Sequence, residues 1–224
     1  MRENSDVIMK WSVKFTKVFY EFVVRNFYFF LSNIIFFLFL LVFEITINNL
    51  LIYTIPIFLY INSYSVQFEL IKNQSQGSNL YDWESYIKTF KKSIKLYWKV
   101  YLVMTVLVQI LLINLWIVTK VPELNFMIIP LLITGVFMVN SFYYFLEDYL
   151  YKSSSISVNS VSSSLILSYG NLSAFFKNTL LLMIKIVLGL LVTPVIVLIF
   201  GDLISRMVVS NMKTNKLYNR LIKK

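Results

Sequence analysis

Long apolar runs alternate along this chain with shorter stretches in which apolar and basic residues recur at helical spacing. In the first 26 residues, Lys10, Lys14, Lys17, Glu21 and Arg25 follow one another every three or four positions, while Ile8, Trp11, Phe15, Val18, Phe19 and Phe22 fill the opposite side. Residues so spaced share a helix face. The stretch 1–26 therefore predicts an amphipathic helix lying in a membrane interface. Trp11 and its aromatic neighbours dip inward, and Lys10, Lys14 and Lys17 reach anionic headgroups of the lipid bilayer.

Apolar windows of about 18 residues or more come next, the length that crosses roughly 30 Å of hydrocarbon at 1.5 Å per residue. Residues 27–43 and 48–66 predict two spans. The short polar link at 44–49 makes them a hairpin over 27–66. Residues 67–99 form a basic loop and helix. There Trp83, Tyr86, Phe90, Ile94 and Tyr97 share one face, and Lys88, Lys91, Lys95 and Lys99 the other, with Lys88, Lys91 and Lys95 placed for lipid contact. That helix leads into a second hairpin over 96–146, turned at Lys120-Val-Pro122-Glu123. A Ser-rich segment, 147–174, carries Val158, Val161, Leu165 and Tyr169 at helical spacing and predicts a short helix over 156–169 closed by Gly170.

The membrane segment 175–211 is broken at Pro194 and followed by a basic tail, 212–224. A straight crossing gives five membrane segments and leaves the tail outside. A turn at Pro194 gives six and returns it to the cytoplasm. The turn also sets Lys185 and Asp202, nine residues before Pro194 and eight after it, at one depth as a candidate intramembrane charge pair. Glu44, Glu69, Glu147 and Asp148 fall at span ends, where solvation is cheap. Asn33, Asn114 and Asn140 are expected to join helices by hydrogen bonds.

Composition agrees with the pattern. Of 224 residues, 58% are apolar and 14% charged, against about a quarter charged in soluble domains. The fold class expected is all-α: a polytopic transmembrane bundle of five to six segments in a single domain, with amphipathic helices on its cytoplasmic side. Lys and Arg number five in residues 1–26 and six in 67–99, but none in 44–49 and one in 119–123. This places the N-terminus and the large loops in the cytoplasm and the protein in the plasma membrane. With no Cys and no His, thiolate and imidazole metal sites, Ser-His-Asp triads and Cys-His pairs are excluded. There is no Gly-rich phosphate loop and no supported pair of catalytic acids, so a non-enzymatic protein is expected, with no catalytic residue, metal or cofactor and no nucleic-acid partner.

Several stretches carry a family likeness: the Asn-led aromatic first span "LSNIIFFLFLL" (31–41), "YINSYSVQFEL" (60–70), "YIKTFKKSIKLYW" (86–98) and "YGNLSAFFKNTLLL" (169–182). In their order and layout the chain resembles the YesL-like family of bacterial multi-pass membrane proteins, although "EITINN" stands where that family has a turn with Pro and Gly. The resemblance implies an accessory role beside carbohydrate transporters of the ATP-driven (ABC) type, whose subunits become expected partners. Two other readings stay open. One is a transporter permease subunit that couples to a cytoplasmic ATPase through the helix at 83–99 or 156–169. The other is a membrane immunity or stress protein that acts by binding.

Overall fold

The computed structural model describes residues 2–44, 46–74, 82–152, 166, 170, 172–191, 206–208, 210 and 211. These are all-helical, with no strand among them. Six α-helices are labelled in chain order: α1 (Arg2–Ser32), α2 (Ile34–Val42), α3 (Thr54–Gln74), α4 (Trp83–Lys120), α5 (Ile128–Lys152) and α6 (Leu172–Leu191). A 3₁₀ turn, Pro122–Met127, joins α4 to α5. Pro56 and Pro130 sit in the first turns of α3 and α5, where the missing N–H has no helical acceptor to lose.

Two helical segments, Trp83–Lys120 and Pro122–Leu146, are long and apolar enough to cross a membrane. The bent pair Trp11–Ser32 and Ile34–Val42 makes a third if it counts as one span. At 38 residues α4 is about 57 Å long, nearly twice the hydrocarbon thickness. The amphipathic segment expected at 83–99 and the span after it are thus one unbroken helix whose first turns project beyond the apolar part.

The first hairpin departs from expectation in two places. No helix ends at residue 26. Nothing there stops one, since Asn26 donates its side-chain amide to Phe22 O at 2.8 Å within the helix, and α1 runs on to Ser32. The second arm is α3, which starts at 54 and not 48, and ends at 74 and not 66. Turns occupy 47–53, tied down by Asn49 Nδ2 donating to Glu44 O at 3.1 Å. The Tyr53 hydroxyl donates to Phe43 O, past the end of α2, and also reaches Phe39 O at 3.1 Å, which already accepts the Phe43 N–H.

The core is strongly aromatic. Phe29, Tyr53, Tyr64, Phe68, Tyr101 and Tyr143 belong to one buried cluster, in which α3 packs on α1, α2 and α4. Ring contacts set the register: Phe29 meets Tyr60 at 5.6 Å, Phe58 meets Tyr101 at 6.0 Å, and Tyr64 meets Tyr143 at 5.5 Å. Where α4 meets α5, a Cβ on Gly135 would come within 2.9 Å of the Leu111 Cδ2 methyl, which would then have to shift. α5 in turn meets α6 through Phe137 and Phe175, stacked at 4.3 Å.

Candidate functional site

The break between α1 and α2 has a definite chemical cause. In a continuous helix Phe29 O would accept the N–H of Asn33, four residues on. Here Phe29 O accepts two side chains instead, Asn33 Nδ2 at 2.7 Å and Ser32 Oγ at 2.9 Å. The Asn33 N–H is displaced to Phe30 O at 3.0 Å, and the axes of the flanking helices meet at 56°. Side-chain donors entering the backbone ladder are a recognised source of sharp kinks. No Pro or Gly occurs in residues 2–42, so no backbone residue type enforces the bend.

Ser32 also reaches across to another helix. Its Oγ lies 2.9 Å from the hydroxyl of Tyr86, near the start of α4. Tyr86 is fully buried, in contact with Tyr28 at 5.4 Å and stacked on Trp83 at 5.8 Å. One phenol therefore ties the break to α4.

The start of α4 is itself well defined. Asp82 caps it, its Oδ2 accepting from Ser85 N at 3.0 Å, and the hydrogen bonds from Ser85 hold the carboxyl below its usual range. A lowered carboxyl pKa contributes stability above the unfolded value of 3.8, and loses it as the pH falls through the lower folded value. The first turn of α4 should then be insensitive to pH between about 5 and 8. Asp82→Ala should speed amide exchange at residues 83–86 at neutral pH, whereas Asp82→Asn, an equally good cap, should not. Hydrogen exchange resolved to these residues checks both.

Further along α4, a buried polar stripe recurs every fourth residue: Ser93, Tyr97, Tyr101, Thr105 and Gln109. Ser93, Tyr101, Thr105 and Gln109 hydrogen-bond through their side chains. Ser93 Oγ lies 2.6 Å from the Tyr101 hydroxyl, Thr105 Oγ1 donates to Tyr101 O at 2.7 Å, and Gln109 Nε2 donates to Thr54 Oγ1 and Leu50 O at 2.8 and 2.9 Å. Leu102, Val103, Val106, Leu107 and Ile110, on the other side, are exposed. α4 thus turns its polar side inward and its apolar side outward, the reverse of a helix on a water-soluble protein. A stripe of period four drifts about 40° per step on a straight helix, so it winds slowly around α4.

α3 carries the polar complement. Asn62, Ser63, Ser65 and Gln67 are all buried, and Ser63 and Ser65 bond their own helix. Among the described residues, both amide atoms of Asn62 and of Asn140, together with Gln67 Nε2 and the Tyr143 hydroxyl, are buried without a hydrogen-bond partner. Comparison with family models, curated proteins and solved structures gives no match.

The predicted site residues divide into three groups. Trp11 is 72% exposed, and Lys17, Lys88, Lys91 and Lys95 are exposed too, as lipid contact requires. The side chains of Lys10, Lys14, Glu147, Asp148 and Lys185 lie outside the described residues, as do all of Asp202 and Pro194 and, apart from Ile166, the helix expected over 156–169. Corrections fall on the stripe 10–25 and on the asparagines. Glu21 and Arg25 are each 2% exposed: the inner end of the charged stripe is sealed against the protein while Phe15 and Phe19 face outward. Asn33 bends its own helix, Asn114 is exposed, and Asn140 bonds nothing among the described residues. Among the described residues, Ser32–Tyr86, Gln109–Thr54 and Asn211–Asn178 do bond between separate segments. Glu69 meets Lys92 at 3.9 Å. Sequence reasoning missed the α4 stripe, although a hydroxyl or amide at every fourth position through "SIKLYWKVYLVMTVLVQ" was visible.

Proposed function

We propose that this chain is a multi-pass protein of the plasma membrane, with five to six crossing segments and a cytoplasmic N-terminus. It acts by binding, without catalysis, as an accessory of a carbohydrate ABC transport system. The observation that carries the membrane part is the inverted helix α4, apolar outward and polar inward over its apolar length. The positive-inside count supports the orientation. The accessory role rests on the resemblance to YesL-like proteins and on the projecting start of α4. That segment offers Lys88, Lys91 and Lys95 and the exposed Trp83 and Trp98 to a partner beyond the hydrocarbon.

A second reading, a permease subunit, is favoured by one observation: the unpartnered amides of Asn62 and Asn140 deep in the bundle, which are the kind of group that engages a hydroxylated solute. Purification from native membranes in mild detergent separates the readings. Recovery with a complete transporter is the expected result. A stoichiometric ATPase with no other membrane subunit favours the permease, and isolation of the chain alone overturns both.

A further inference from the structure

We infer that the break at Asn33 is a reversible hinge and that the Tyr86 hydroxyl is its latch, coupling the angle between α1 and α2 to the cytoplasmic start of α4. Three observations lead there. First, nothing covalent enforces the bend. A proline would remove an N–H permanently, but residues 2–42 contain none, and Phe29 O is only borrowed by Asn33 Nδ2 and Ser32 Oγ. When those side chains let go, the Asn33 N–H can return to Phe29 O and the helix can run straight. Second, the bent form is incompletely satisfied. Asn33 Oδ1 is buried without a partner among the described residues, and the cap of α2 makes no side-chain bond to a free N–H. A conformation with such a defect persists because something outside it holds it.

Third, Tyr86 supplies that hold. Ser32 Oγ, which helps to occupy Phe29 O, lies 2.9 Å from the buried Tyr86 hydroxyl. Tyr86 belongs to the projecting end of α4, one turn beyond the Asp82 cap and two residues before the exposed Lys88. A force that shifts this end withdraws the phenol from Ser32 and frees the carbonyl beneath it. The hinge needs no particular partner, so it stands apart from the functional reading above.

The absence of cysteine allows labels to be placed freely. Cysteines replacing the exposed Tyr20 and Leu41, spin-labelled in nanodiscs, bracket the bend. Pulsed electron resonance should give one narrow distance distribution in this background. Straightening a 56° bend between these positions lengthens the separation by about 3 to 4 Å. Tyr86→Phe, which removes only the latching hydroxyl, should add a longer population or broaden the distribution. Ser32→Ala, which removes the latch and one of the two intruding donors, should do so more strongly. Tyr101→Phe removes an equally buried hydroxyl, bonded to Ser93, and should leave the distribution unchanged. Unaltered distances in both Tyr86→Phe and Ser32→Ala overturn the hinge. A Tyr101→Phe shift as large as that of Tyr86→Phe also overturns it, because the change then reflects general loosening.

Discussion

Replacing Arg25 with Met is expected to cost about 3 to 5 kcal/mol of stability, enough to remove most folded protein from the membrane fraction. Arg25 is among the most deeply buried side chains of the described residues, and Glu21, one turn earlier on the same face, is equally sealed. Glu21 stands four residues before Arg25, so removing the guanidinium is expected to leave a buried carboxylate with less compensating charge, the situation in which stranding a buried ion is strongly destabilising. The double change Glu21→Gln with Arg25→Met should therefore recover most of the loss, since no ion is then stranded. Thermal unfolding of the detergent-solubilised protein measures both variants. A double variant as unstable as Arg25→Met would show that the two charges are held by separate surroundings. Gln109→Leu provides the scale. It removes bonds to Thr54 and Leu50, and interhelical hydrogen bonds within membranes average only about 0.6 kcal/mol.

Leu107→Asp should block insertion. Leu107 lies near the middle of the apolar length of α4 and is 42% exposed on its outward side. A carboxylate at the centre of a membrane helix costs about 2.5 to 3.5 kcal/mol on insertion scales. Trp98→Asp, nine residues closer to the start of α4 and also exposed, should be tolerated, because a charge there reaches water. The quantity to compare is the yield of each variant in the membrane fraction. Equal yields would mean that this side of α4 does not face lipid.

What the sequence made legible was whatever depends on composition and on single-helix periodicity. The all-α class, the continuous path from the amphipathic segment into the α4 span, and the turn at Pro122 followed from apolar length, lysine spacing and proline. The direction in which α1 faces was not legible. An amphipathic stripe shows that a helix has two sides, not which one the protein covers, and here the covered side holds Glu21 and Arg25. The kink at Asn33 escaped for a related reason. Ser and Asn are unremarkable in sequence, and they bend α1 only because their donors displace a backbone N–H at Phe29 O. α3 is the hardest case. Its polar centre looks like the end of a span, whereas the structure continues it to Gln74 with Ser65, Val66, Gln67 and Phe68 buried among other helices. Such burial is a property of the bundle, beyond what one helix can reveal.

The central claim is that α4 presents its apolar side to lipid and its polar stripe to the protein. Single cysteines placed in turn from 101 to 110 and spin-labelled in nanodiscs test it through collision rates with oxygen, which concentrates in lipid, and with a nickel chelate, which stays in water. Oxygen collisions should peak at 102, 103, 106, 107 and 110, with minima at 101, 105 and 109, and the nickel chelate should reach none of these positions. Oxygen maxima at 101, 105 and 109, or nickel access at 106 and 107, would contradict the account.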